Sequence, residues 1–119
     1  MKTDIKKDIS EEKLVALIIK SALAMEGVTG MVDMPEGLRG GILGRDVVMK
    51  DGVKLSRDKE DKTALDVYIR VEYGVKIPQL AWELQRKIQN DILAKTNITL
   101  NDINIHVEGV DMGEKYDQS

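Results

Sequence analysis

His106, the one histidine of the chain, sits in the segment "INIHVEGV" beside Asn104 and Glu108. On a strand those three side chains share a face, and a neighbouring strand carrying Asp66, Tyr68, Arg70 and Glu72 would bring carboxylates to the imidazole. A base titrating near neutrality with an acidic partner to orient it is the raw material of acid–base catalysis. Catalysis also needs a pocket that excludes water, whereas regularly alternating polar residues make an open sheet face. His106 with Asp66 or Glu72 is therefore a possible enzyme site without a nameable reaction. The expectation is that the protein is not an enzyme and has no catalytic residue.

Metal and phosphate chemistry meet similar obstacles. The 119-residue chain contains no cysteine, and one histidine is too few for a closed zinc site. Asp58, Glu60 and Asp61 crowd the stretch "RDKEDK", but Lys59 and Lys62 intervene and the spacing of a calcium loop is missing, so it reads as a solvated turn. No metal and no cofactor are expected. "GLRG", residues 37–40, has the glycine spacing of the loop with which KH domains clamp an RNA backbone. With Gly37, Arg39, Gly40 and Lys54 as contacts it defines an alternative RNA-binding reading. Helices do not flank it, and a net charge of -3 works against a polyanion partner. Gly74 and Lys76 in "YGVKIPQ" lack the further glycines and the Gly-Lys-Ser/Thr ending of a phosphate loop. There Gly74 stops a strand and Pro78 opens a helix.

The elements that must carry these residues follow from hydropathy. With 42% apolar residues but no Phe and one Trp, the core must be aliphatic. Ser10 is a good N-cap, Glu11 and Glu12 suit a helix start, and Ile9 with Leu14 has the spacing of a hydrophobic staple. A helix is predicted from residue 11 to Met25, with Leu14, Val15, Leu17, Ile18, Ile19, Ala22 and Met25 as an unusually wide apolar set. The longest apolar run, "LVALII", is far short of the roughly 18 residues that span a bilayer, and "MKTDIKKDIS" has no signal-peptide core.

Residues 28–53 show no sustained period, apart from a possible short strand near Val28 to Val32. Val53 and Leu55 then alternate with polar neighbours. Leu65, Val67, Ile69, Val71 and Tyr73 define the inward face of a longer strand, and the two strands make a hairpin. Ala81, Leu84, Ile88 and Ile92 form a helical stripe, with Glu83/Lys87 and Asp91/Lys95 as i,i+4 pairs on its wet side and Asn97 as a left-handed cap. A last strand points Ile103, Ile105 and Val107 inward.

The predicted class is α+β, with two helices packed on one face of a small mixed sheet of three to four strands, in the order α-β-β-α-β. Residues 9–110 make the single domain, residues 1–8 a flexible arm and residues 111–119 a disordered tail. Trp82 lies to the side of the second helix's core stripe, near Arg86, Gln89 and Leu93. Indole, guanidinium and aliphatic groups on one flank are characteristic of a protein contact. The competing reading folds Trp82 under the glycine-rich loop. Leu38 and Leu43 in that loop are a second contact candidate.

The succession "AMEGVTGM", "GLRGGILGRD", "LDVYIRVEYGVKIPQLAWELQRKIQNDI" and "INIHVEGV" resembles the alkaline shock protein family of bacterial envelope stress-response proteins over about residues 9–110. The resemblance implies a cytoplasmic protein without assigned catalytic residues. It also implies a scaffold or adaptor role in envelope homeostasis, self-association, and attachment to the membrane through a membrane-anchored partner protein. Some relatives are linked to control of fatty-acid synthesis. Gly40-Gly41 and the charged turn from Asp58 to Lys62 depart from the family pattern.

Overall fold

The computed structural model describes residues 10–33, 46–60 and 62–112. The arm and its staple residue Ile9, the "GLRG" loop with Leu38 and Leu43, Asp61 and the tail beyond Met112 lie outside the described residues.

Helix α1 spans Glu11–Leu23; Ser10, extended at φ -75° and ψ 156°, accepts the Lys13 N–H on its hydroxyl. The helix stops two residues before the expected Met25, with Ala24 as its cap. Leu14, Val15, Ile18 and Ala22 enter the core, while Leu17, Ile19 and Met25 are half-buried around it. The wide apolar set thus splits into a core stripe and its margins.

Among the described residues five strands follow the order β1 (Val28–Met31), β2 (Asp46–Lys50), β3 (Val53–Arg57), β4 (Thr63–Glu72) and, after helix α2 (Ile77–Thr96), β5 (Asp102–Asp111). The sheet has more strands than the three to four expected, because β2 was hidden in a stretch read as irregular. β2 and β3 form an antiparallel hairpin turned by Asp51 and Gly52, both at positive φ, 51° and 89°. Such a two-residue Asp-Gly turn matches the twist of the strands it joins. Strand β5 extends one residue beyond the expected domain end at 110.

β4 is the centre of the sheet. β3 runs antiparallel along its first half and β1 antiparallel along its second half, and β5 runs parallel along nearly its whole length. Because β5 occupies one edge, β1 and β3 lie end to end on the other. Leu65, Val67, Ile69 and Val71 of β4 are fully buried on the helical side, as period-two alternation requires. Tyr73, just past the strand, is exposed.

Gly74, at φ +95°, would meet nothing within 4 Å if it carried a Cβ. It is needed for the sign of its backbone angle rather than for space. Pro78 occupies the first turn of α2, where a missing N–H costs nothing. Leu80, Leu84, Ile88 and Ile92 form the buried stripe; Leu80 replaces the half-buried Ala81 of the predicted set. Asn97, at φ 64°, ends the helix by donating its N–H to the Leu93 carbonyl. α2 thereby returns the chain across the sheet so that β5 can lie parallel to β4.

Candidate functional site

α2 shows its outer flank to solvent. Trp82 is 58% exposed and Leu93 42%; the glycine-rich loop of the competing reading lies outside the described residues. The Arg86 guanidinium lies 5.0 Å from the centre of the indole ring. A cation–π contact of this exposed kind stabilises by about 0.5–1 kcal/mol and holds both side chains in a defined pose. The neighbouring residues on the same flank tie the helix down: Gln85 Nε2 donates to the Ile103 carbonyl at 2.7 Å, and Gln89 Nε2 to the Leu100 carbonyl at 3.3 Å. The flank with Trp82, Arg86 and Leu93 therefore overlooks β5. Sequence periodicity placed Trp82 on this side, whereas the two glutamines gave no signal of a bond to a strand.

The pairing on the wet side of α2 differs from expectation. Lys87 bridges to Asp91 at 2.6 Å, not to Glu83, which accepts from Gln79. Asp91 also takes the Ser21 hydroxyl at 2.7 Å. An i,i+4 lysine N-terminal to its acid is less favourable on an isolated helix; Ser21 of α1 supplies the tertiary contact that selects this arrangement.

On the opposite face of the sheet, His106 Nε2 lies 2.9 Å from Asp66 Oδ1, and its ring stacks on Tyr68 with centres 4.4 Å apart. Of the partners weighed for His106, Asp66 and Tyr68 come to it. Arg70 turns instead to Asp111, which it grips through Nε and Nη2, and Thr29 donates its hydroxyl to the same carboxylate. Glu72 lies four residue pairs beyond the Tyr68–His106 pair, opposite Asp111, and is exposed. Burial first, then the charges of Asp66 and Glu108, raise the Tyr68 phenol above its ordinary value, and Arg70, followed by Thr29, lowers the Asp111 carboxyl. Lys54 stands opposite Asp66 in the β3–β4 register, a placement against an acid that does not favour a phosphate contact.

A concave feature of the described surface lies elsewhere. An open groove of about 660 Å³ runs between the end of α1 and the start of α2, with Met25, Val75 and Leu80 lining it together with Glu26, Glu72 and Glu83. These acids converge only in the folded chain, so sequence spacing could not announce them. His106 does not line the groove. In the turn before β4, Asp58 Oδ1 accepts the backbone N–H groups of Glu60 and Lys62, closing the turn. Among the described residues no cluster of three or more His, Asp or Glu groups is arranged to hold a metal ion, and no helix is long and apolar enough to cross a membrane.

The Bacillus subtilis (strain 168) protein YqhY is 30% identical over 96 residues, covering 80% of this chain and 71% of that one. YloU of the same organism is 27% identical over 107 residues, covering 87% and 86%. Among solved structures, a MamM-CTD chain superposes with a TM-score of 0.47 at 15% identity, covering 86% of this chain and 100% of that one; the likeness is too loose to carry an argument. The profile of the alkaline shock protein 23 family, described by a cell envelope-related function, matches residues 1–112. With that match running through both described helices and all five described strands, the chain belongs to the alkaline shock protein 23 family.

Proposed function

We propose that the protein is a non-enzymatic cytoplasmic scaffold or adaptor in cell-envelope stress response and homeostasis. It works through protein contacts, with self-association and a membrane-anchored protein as partner. The observation that carries this reading is the exposed flank of α2, where Trp82 is posed by Arg86 and followed along the helix by Leu93. Large aromatic and arginine side chains in an ordered pose are the groups that most often dominate protein interfaces. The placement of His106 on a sheet face, outside the groove, supports a role without catalysis.

Replacing Trp82 and Leu93 together by serine tests the flank. The expected result is loss of self-association in light scattering, or of partner capture in a crosslinking pull-down read by mass spectrometry, with an unchanged circular dichroism spectrum. Unchanged association and capture would remove this surface from the function.

A further inference from the structure

Among the described residues the outer edge of β5 has no strand beside it, and we infer that two copies of this chain join there, antiparallel, about a two-fold axis at Ile105. This names the partner for the flank proposed above and rests on that reading.

The backbone directions are fixed by bonds within the sheet. The Tyr68 N–H goes to the Gly52 carbonyl and the Glu72 N–H to Gly27, so the even residues of β4 turn their backbone groups to the β1/β3 edge. The Tyr73 N–H goes to the Asp111 carbonyl, so the odd ones turn to β5. In a parallel ladder, the β5 residues opposite the even β4 positions then bond inward: Asp102, Asn104 and His106. Ile103, Ile105 and Val107 consequently direct N–H and C=O away from β4. The Gln85 bond to the Ile103 carbonyl agrees with this direction, and a carbonyl oxygen can accept a second bond.

Among the described residues β5 pairs only with β4. An open edge of this kind is a template for another strand unless bulges, charges or covering segments block it. The irregularity is at one end, where Glu108 is the extra residue between Val107 and Gly109 in the β4–β5 register. The regular part presents three outward residues spaced evenly about Ile105. With Ile105 opposite itself, Ile103 of each copy bonds to Val107 of the other, and every outward N–H and C=O of the three finds a partner.

The side chains agree with the same register. Ile103, Ile105 and Val107 are half-buried against the helical layer, so pairing continues apolar surface into apolar surface. On the other face Asn104 of one copy meets His106 of the second, with no like charges opposed. Asp102 meets Glu108 only at the ends, where the bulge limits pairing. At 3.6 residues per turn, Trp82 lies about 20° around α2 from Gln89 and about 60° from Gln85. Since those two residues reach the β5 side, Trp82 overhangs the new junction and covers it on the helical face.

The absence of cysteine from the sequence makes a direct test possible, because a single introduced cysteine cannot form a disulfide within its own chain. Ile105→Cys should crosslink to itself under mild oxidation, since directly opposed hydrogen-bonded residues lie about 5.5 Å apart at Cα. Asn104→Cys and His106→Cys should crosslink efficiently when mixed and poorly alone. Ile105→Pro removes the outward N–H without touching a bond to β4; sedimentation velocity should show self-association weakened about tenfold or more, while Ile105→Val preserves it. Dissociation by the Trp82/Leu93 variant with no effect of Ile105→Pro and no Ile105→Cys crosslink would overturn edge pairing and leave the flank reading standing. A wild-type protein that stays monomeric at about 0.1 mM and gives no crosslink, or an Ile105→Cys crosslink formed only to another protein's strand, would also overturn it.

Discussion

The hydroxyl of Ser21 donates to the carboxylate of Asp91 at 2.7 Å, joining the two helices across the top of the core. Lys87 bonds the same carboxylate, and its hydrogen bond, followed by that of Ser21, holds the Asp91 carboxyl below the ordinary range. A carboxyl depressed in the folded state stabilises above its unfolded value of about 3.9 and loses that contribution as pH falls through its folded value. Asp91→Asn should therefore lower stability at pH 7 by about 1 kcal/mol, the scale of a charged hydrogen bond screened by partial exposure. Urea titrations should show the gap between variant and wild type closing below about pH 3.

The hairpin of β2 and β3 depends on one glycine. A Cβ at Gly52 would lie 2.8 Å from the Val32 carbonyl oxygen and 3.0 Å from that of Tyr68, on a backbone at φ +89°. Gly52→Ala should cost roughly 2 kcal/mol or more, a left-handed penalty of about 1 kcal/mol plus a clash with backbone. Asp51→Asn should be nearly silent, because Asn tolerates the same left-handed angle. Chemical denaturation of the pair would show whether the turn has this asymmetry.

Burial separates the two faces of α2 more sharply than residue size does. Ile88 is fully buried, so Ile88→Ala should remove about 2–5 kcal/mol of stability. Trp82→Ala deletes a larger side chain, yet its exposure limits the cost to the cation–π contact and some local packing, about 1 kcal/mol. Thermal melts should rank the smaller deletion as the more damaging one. The reverse order would place Trp82 in the core.

Tyr68 offers a spectroscopic report on the polar sheet face. Burial, then Asp66 and Glu108, favour its neutral phenol, so in an ultraviolet titration it should ionise after the ordinary value of about 10. Asp66→Asn should bring that step closer to the ordinary value while leaving the burial contribution. A phenol raised by folding gives stability that is complete below the unfolded value and is lost as pH rises through the folded one. Alkaline unfolding should accordingly steepen above about pH 10.

The strongly periodic parts were legible in the chain. Alternation gave β4 and the inward set of β5, 3.6-residue spacing gave α2, and Ser10 and Asn97 marked helix ends that the structure places within a residue or two. β2 escaped because it contributes only "DVVMK" beside a glycine-rich stretch, although the "DG" that follows it directly was a hairpin signal. The Lys87–Asp91 choice could not be read locally, since both alternatives satisfy i,i+4 spacing and Ser21, 70 residues away, decides between them. The Trp82 flank was visible as a pattern. Its relation to the β5 edge was not, because that depends on which way the ladder turns its carbonyls.

The place of β4 between a local hairpin and a distant parallel partner also orders assembly in time. β3 can zip onto β4 as soon as both leave the ribosome, since only a short turn separates them. The other edge of β4 has to wait while the whole of α2 is made, because the parallel partner lies beyond it in the chain. Parallel contacts across such a separation form slowly, and an unpaired edge is vulnerable to aggregation in the interval. During synthesis the nascent chain is therefore most exposed at the strand that the finished protein protects best.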